Sequence, residues 1–163
     1  NVDLDIEGVW PFKFTMTEIQ AAIGTKLIDR VDDLNSKRRL RAQRFIKEME
    51  SYPELVFQKT VFELQNSYSL LPARYDGYKF NKKNDDLIQL LSEKYRIKTI
   101  VQFYPLNRYP LFEKMGFGHA ECPNTDNFFD NMISFPFHIW LSDNDFEYLI
   151  ASTKSALNEL RDK

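Results

Sequence analysis

The chain has little of what several kinds of functional site require. Its 163 residues include one cysteine, Cys122, and two histidines, His119 and His138. A disulfide framework or a cysteine zinc site within the chain is therefore excluded, and neither histidine stands at a zinc-ligand spacing from a carboxylate. The five scattered glycines form no phosphate-binding loop and no Gly-x-Ser-x-Gly nucleophile motif. We expect no metal site, and the single cysteine fits a reducing compartment such as the cytoplasm.

The chain also lacks a strong charge of either sign. Its 22 basic and 24 acidic residues give no electrostatic reason to expect a nucleic acid or an anionic membrane as partner. No apolar run approaches the roughly 20 residues of a spanning helix, and the acidic start NVDLDIEG does not resemble a signal peptide. The most basic segment, SKRRLRAQR at 36–44, shares its predicted helix with many carboxylates. A salt-bridged helix face is therefore favoured over nucleic-acid binding.

What is present, 43% hydrophobic and 15% aromatic residues, is enough for one moderate core. Apolar residues at three- and four-residue spacing predict a long amphipathic helix from about residue 16 to 49, bent near Gly24 and ended by Pro53. Two overlapping capping boxes predict its start. They are Thr15-x-x-Glu18 and Thr17-x-x-Gln20.

The rest of the pattern predicts an α/β fold with a small sheet flanked by helices. Residues 56–64 and 67–75 are typical of two paired strands, and 98–104 and 132–140 of two more. A helix over 82–95 should turn Leu87, Leu90, Leu91 and Tyr95 inward. Ser142 is a candidate N-cap for a final helix. The apolar face of that helix would consist of Phe146, Leu149, Ile150, Thr153, Leu157 and Leu160.

Three places in the sequence are candidates for ligand contact. Lys13 and Thr15 precede a helix start, where free amides and the helix dipole suit an anion, although Thr15 could simply cap the helix. The loop after residue 101 places polar side chains between aromatic ones, which suits a sugar or nucleotide as well as an ordinary packed loop. Its polar members are Gln102, Tyr104, Asn107 and Arg108. His138 ends an apolar strand, where it can serve either structure or ligand binding.

Five blocks of the sequence, in order, carry a family resemblance. KFTMTEIQAAIG resembles the signature "KYNMTDIQAAIG" of the DegT/DnrJ/EryC1/StrS family, and the segment from Leu27 to Arg44 resembles its long helix. NSYSLLPARYD resembles "HSYHLYPIR", and IKTIVQFYPLNRYPLF resembles "IGTxVHYxPLHxxPLF". The block from Glu121 to Ile150 resembles "CPxAExxxxxxLSLPLHPxLSxxD". These proteins are pyridoxal-phosphate-dependent aminotransferases that act on keto-sugars, mostly nucleotide-linked.

The resemblance covers only the C-terminal part of that family's fold-type-I architecture. It implies that residues 1–24 end the large domain and carry an arm that reaches into the neighbouring subunit of a homodimer. Residues 25–163 would form the small, substrate-lid domain. The lysine that forms the Schiff base with the cofactor is expected upstream of Asn1, since no lysine here matches that motif. No catalytic residue is then expected in this chain, which should be inactive alone.

The resemblance also assigns roles to single residues. Thr15 stands where the family has the Asn that contacts the cofactor phosphate, and Lys13 matches the Lys of "KYNM". Gln102, Asn107 and Ser69 replace family histidines, whereas His138 is retained, which implies altered sugar or nucleotide contacts in a pocket that is still polar. The alternative to an aminotransferase part is a non-catalytic sugar-binding, nucleotide-binding or regulatory module of the same fold.

Overall fold

The computed structural model describes residues 15–61 and 64–162. Six helices and three strands are found there, with short 3-10 turns at Gly77–Phe80 and Leu106–Arg108. The helices are α1 (Glu18–Ile28), α2 (Val31–Glu48), α3 (Asn84–Glu93), α4 (Pro110–Lys114), α5 (Pro123–Asp130) and α6 (Asp143–Arg161), and the strands are β1 (Leu55–Phe57), β2 (Leu71–Tyr75) and β3 (Met132–Phe135). The described residues form a smaller unit, 15–31 with 103–130, and a larger unit, 32–102 with 131–162.

The predicted first helix is two helices. Of the two capping boxes, Thr17 with Gln20 forms, and it starts α1. The interruption does not fall at Gly24, where a bend was predicted, because Gly24 lies inside α1. The helix is instead interrupted at Asp29 and Arg30, where the Arg30 amide donates to the Leu27 carbonyl at 3.0 Å. This hydrogen bond spans three residues, and not the four of an α-helix, so it ends α1 before α2 begins.

The apolar stripe of α1 is exposed. Ile19 is 74% exposed, Ile23 is 57% exposed, and no residue of the helix is buried. An isolated helix of this length is only marginally stable in water, since helices in proteins gain most of their stability from packing an apolar face. The stripe therefore has the character of a contact surface.

The larger unit contains an antiparallel sheet in the order β1-β2-β3. The predicted pairing of the first two strands is confirmed, but the strands are shorter than predicted. Val56 lies opposite Arg74, so the next hydrogen-bonded pair would join Gln58 to Pro72. Pro72 has no N–H to donate, which ends the ladder at Phe57.

The strand predicted over 98–104 was wrong. Only Ile100 pairs, through a single bridge to Ser134 with N–O distances of 3.1 and 2.8 Å. On one side of the bridge, the Met132 carbonyl already accepts from the Asn84 side-chain amide at 2.9 Å. On the other side, Pro136 lacks the amide that would continue this ladder. Strand β3 itself ends at Phe135, short of the predicted residue 140.

The core of the larger unit is centred on Phe45 of α2. Its ring is fully buried, and its centroid lies 4.9 Å from that of Phe135, 6.0 Å from Phe57 and 6.5 Å from Phe146. These contacts join α2 to the sheet and to α6. The predicted apolar face of α6 is confirmed, because all six of its residues are buried: Phe146, Leu149, Ile150, Thr153, Leu157 and Leu160. In α3, Leu87 and Leu91 are buried as predicted, while Leu90 is half-buried. Tyr95, predicted to close the same helix, is also half-buried but lies beyond its end at Glu93.

The C-terminal end of α6 is held by an ion pair. The Arg161 guanidinium donates to both oxygens of the buried Glu54 carboxylate, at 2.7 and 2.8 Å, and lies 4.5 Å above the Tyr52 ring centroid. A buried carboxylate is tolerated only when it is paired in this way. Burial, with the Glu54 charge acting in the same direction, raises the pKa of Tyr75 to about 12.

The basic segment of α2 is engaged within the fold. Arg41 donates to the Leu141 carbonyl and, at 2.9 Å, to Asp143, while Arg44 pairs with Glu147. Both guanidinium groups lie over the Phe146 ring. The segment thus fastens α2 to α6. Lys37 pairs with Asp33 of its own helix, as predicted, but Arg41 and Arg44 pair with carboxylates of α6 instead. Within the described ranges, no helix has the length and apolarity needed to cross a membrane, and no group of three or more potential metal ligands is found.

Replacing Phe45 by Ala should lower the free energy of unfolding by about 3–5 kcal/mol, because it empties the centre of the core. Leu40→Ala is the matched control on the same helix, since Leu40 is 69% exposed and should change stability by less than about 0.5 kcal/mol. Urea unfolding followed by circular dichroism measures both. Equal losses for the two variants would contradict the described core.

Candidate functional site

The loop of the smaller unit places Tyr104 in an aromatic cluster. Its ring packs edge to face against Tyr109, at a centroid distance of 5.0 Å, and against Phe129 of α5, at 5.3 Å. Such pairs favour a fixed ring orientation. Tyr104 is half-buried, so part of its side chain stays accessible to a ligand.

Arg108 is fixed by two carboxylates of α5. Its guanidinium donates to both oxygens of Asp130, at 2.6 and 3.0 Å, and its Nε lies 2.7 Å from Asp126. It also lies over the Phe129 ring at 5.7 Å. The hydrogen bonds to Asp130 raise the pKa of Arg108 and lower that of Asp130. A substrate anion would have to compete with two carboxylates for this guanidinium.

Asn107 bridges two parts of the same loop region. Its side-chain amide donates to the Ala120 carbonyl at 3.2 Å. The residue also lines an apolar cavity of about 480 Å³. The other lining residues are Leu106, Phe112, Phe117, Ala120, Cys122 and Thr125. Tyr104, Asn107 and Arg108 therefore belong to one compact loop that α4 and α5 follow.

Gln102 and His138 lie in the larger unit. Gln102 is half-buried and comes two residues after the bridge of Ile100 to Ser134, whereas His138 is exposed and comes four residues after Ser134. Because the bridge is antiparallel, the chain leaves it in opposite directions toward these two residues. The backbone carbonyl of His138 accepts from the Leu141 amide at 3.3 Å and so forms the turn before α6.

The entrance of α1 offers only part of a phosphate site. Thr15 is exposed, and Lys13 lies outside the described residues. The capping box occupies two of the four free first-turn amides: the Thr17 amide donates to Gln20 Oε1 at 2.9 Å, and the Gln20 amide donates to Thr17 Oγ1 at 3.3 Å. Glu18 adds a negative charge to the first turn. The Thr15 hydroxyl and the two remaining amides alone do not make a phosphate cradle, and the cofactor contact of Lys13 and Thr15 stays a prediction.

Sequence reasoning missed Asp126 and Asp130, the partners of Arg108. A signal for them was present, because the two carboxylates are four residues apart and therefore share one face of a helix. No helix is predicted between residues 104 and 132, so the spacing could not be assigned to a helix face. In fact Pro110 begins α4, where a missing N–H costs nothing, and Pro123 begins α5.

Comparison with known proteins agrees with the sheet and the helices described above. The chain belongs to the DegT/DnrJ/EryC1/StrS aminotransferase family, whose model matches residues 6–154. It is 26% identical over 144 residues to the spore coat polysaccharide biosynthesis protein SpsC of Bacillus subtilis, covering 88% of this chain and 37% of SpsC. The predicted family is thereby confirmed.

Solved structures show the same fold. The putative sugar aminotransferase Spr1654 of Streptococcus pneumoniae matches 91% of this chain with a TM-score of 0.73 and 25% sequence identity. The structure of Helicobacter pylori PseC matches 96% of this chain with a TM-score of 0.71 and 20% sequence identity. At this identity the likeness shows the fold alone. The chain spans 37% of Spr1654 and 44% of PseC. The predicted fold class, a small sheet with helices as in one domain of an aminotransferase, is confirmed.

The pairing of Arg108 with Asp130 predicts an acidic titration. The pKa of Asp130 should lie below the ordinary aspartate value of about 3.9, and Arg108→Gln should return it toward that value. Because the folded-state pKa is lowered, the pair stabilises the fold above the unfolded-state value, and this contribution is lost as pH falls through the folded-state pKa. Carbon-13 NMR of the side-chain carboxyl measures both proteins.

Glu48 supplies the internal reference for that titration. A hydrogen bond from Lys154 lowers its pKa, so it should titrate identically in the wild type and in Arg108→Gln. If the Asp130 pKa were unaffected by Arg108→Gln, the described ion pair would not exist in solution.

Proposed function

We propose that this chain is the C-terminal part of a pyridoxal-phosphate-dependent aminotransferase that acts on a keto-sugar. The observation that carries the proposal is the family match over residues 6–154, joined to a fold shared with a sugar aminotransferase at a TM-score of 0.73. Related names point to sugar metabolism. SpsC is named for spore coat polysaccharide biosynthesis, and PseC is described as an aminotransferase of pseudoaminic acid biosynthesis.

We propose a nucleotide-linked sugar as the substrate of the whole enzyme. Tyr104 and Asn107, in one compact loop, offer an aromatic ring and an amide, which are the groups that bind sugars and nucleotides. Gln102 and His138 would offer further polar groups to the substrate. Arg108 would act by holding this loop in place, since both of its carboxylate partners lie on α5.

The proposed cofactor is pyridoxal phosphate, and Spr1654 has been solved in pyridoxal-phosphate and pyridoxamine-phosphate forms. The cofactor supplies the electron sink for amino transfer, and the lysine that binds it covalently would lie in the remainder of the enzyme. Thr15 and Lys13 would contribute to its phosphate group only in combination with donors from outside this chain. The chain alone would then bind and position substrate without catalysing transfer.

We propose that the whole enzyme is a cytoplasmic homodimer in which the segment before α1 reaches the site of the neighbouring subunit. Residues 1–24 would then belong with the large domain and 25–163 with the substrate lid. The exposed stripe of α1, including Ile19 and Ile23, supports this assignment because an apolar helix face of this kind needs a covering surface.

Borohydride reduction after titration with pyridoxal phosphate tests where the chemistry lies. We expect weak labelling scattered over many lysines of the isolated chain, because we propose that the lysine that binds the cofactor covalently lies in the remainder of the enzyme. Peptide mass mapping identifies the labelled sites. Stoichiometric labelling of a single lysine would overturn the proposed division of the site.

The exposed face of α1 predicts concentration-dependent self-association of the isolated chain. Replacing Ile19 and Ile23 by Glu should shift the sedimentation-velocity distribution toward monomer, because two buried carboxylates at a contact would be costly. Lys37→Ala, on the exposed side of α2, is the control and should leave the distribution unchanged. Only monomer at the highest wild-type concentration would count against α1 as a contact surface.

A further inference from the structure

The outer edge of β1 is open in the part of the chain that the structure describes, since no strand lies beyond it. The Asp76 amide donates to the Glu54 carbonyl at 2.7 Å, which makes Glu54 and Asp76 a hydrogen-bonded pair. Hydrogen-bonding direction alternates along an antiparallel strand, so Val56 also faces β2, whereas Leu55 and Phe57 face away. The Leu55 amide already donates a hydrogen bond to the Tyr52 carbonyl at 2.9 Å. The Leu55 carbonyl and both backbone groups of Phe57 therefore point to the open edge.

A preformed groove lies against β1. A cavity of about 550 Å³ is lined by residues of α2, of β1 and of the segments that flank β1. A second cavity of about 220 Å³ shares Ile46, Phe57, Gln58 and Tyr68 with it and continues to the start of β2. Tyr68 forms a fixed wall: its φ is 46°, its amide donates to Asn66 Oδ1 at 2.8 Å, and its hydroxyl lies 3.5 Å from Thr60 Oγ1. A bulky residue adopts this left-handed conformation only when its surroundings impose it.

The groove carries an excess of positive charge. Lys47 and Lys59 line the larger cavity, against one carboxylate, that of Glu50. Both lysines are exposed, and neither has an ion-pair partner among the described residues. An occupant with carboxylate side chains would complement them.

We propose that the open edge of β1 binds a short, extended, acidic segment of a partner protein by strand addition. The backbone of the segment pairs with Phe57, its apolar side chains pack on Ile46 and Tyr68, and its carboxylates approach Lys47 and Lys59. Strand addition combines main-chain hydrogen bonds with alternating side-chain contacts in this manner. Because β1 has three residues, the paired part of the segment spans roughly three to five residues, or about 10–16 Å. This surface is independent of the proposed aminotransferase function.

Amide hydrogen exchange tests the pairing directly. The probe is the N-acetylated peptide Glu-Val-Asp-Val-Glu, added to the intact chain at up to millimolar concentration. The Phe57 amide, which faces the open edge, should exchange at least about fivefold more slowly when peptide is bound. The Val56 amide, which faces β2, should be unchanged and serves as the internal control.

Two matched comparisons separate strand addition from charge attraction. The same peptide with a methylated central amide should bind at least about fivefold more weakly, because it cannot donate to the edge. Lys47→Ala with Lys59→Ala should weaken binding of the unmodified peptide by about fivefold, whereas Lys98→Ala, before the bridge at the opposite edge of the sheet, should not. Fluorescence anisotropy measures these affinities. The proposal is overturned if no peptide binds, if the methylated peptide binds equally well, or if the Phe57 amide stays unprotected.

Discussion

The packing of the Phe45 ring between the sheet and α6 is the interaction on which the larger unit depends. Phe45 contacts Phe57 of β1, Phe135 of β3 and Phe146 of α6, so one side chain joins three elements that are far apart in sequence. Two sets of polar contacts hold the two ends of α6. Arg41 holds the start of α6, and the pair of Glu54 with Arg161 holds its end. The sheet is small, and these contacts from α2 and α6 cover its inner face.

Much of this fold could be predicted because periodicity and burial agree. Leu149, Leu157 and their neighbours recur at helical spacing and are buried, so α6 was predictable with its cap. The absence of a strand over 98–104 was not predictable. Its apolar residues satisfied the strand pattern, but partners distant in sequence decided that only Ile100 pairs. Asn84 occupies one neighbouring carbonyl and Pro136 removes one neighbouring amide. No local pattern in KTIVQFY contains that information.

The candidate binding residues show the same division. Tyr104 and Asn107 were identifiable from their residue types and from the family blocks, whereas the state of Arg108 depends on α5, a short helix entered by a proline. A helix of eight residues that buries none of them gives a weak periodic signal. The family resemblance located the α1 entrance, but only the capping box of Thr17 and Gln20 revealed how many amides remain for an anion there.

We propose that this chain contributes substrate contacts to a site whose catalytic lysine lies in another part of the enzyme. A half-reaction tests this proposal most directly: the chain is incubated with pyridoxal phosphate and L-glutamate, and the conversion of the cofactor to pyridoxamine phosphate is followed by absorbance. We expect the same rate as in buffer without protein. A rate that rises in proportion to the concentration of the chain would show that the chain carries its own catalytic centre, and the proposed division of the site would be wrong.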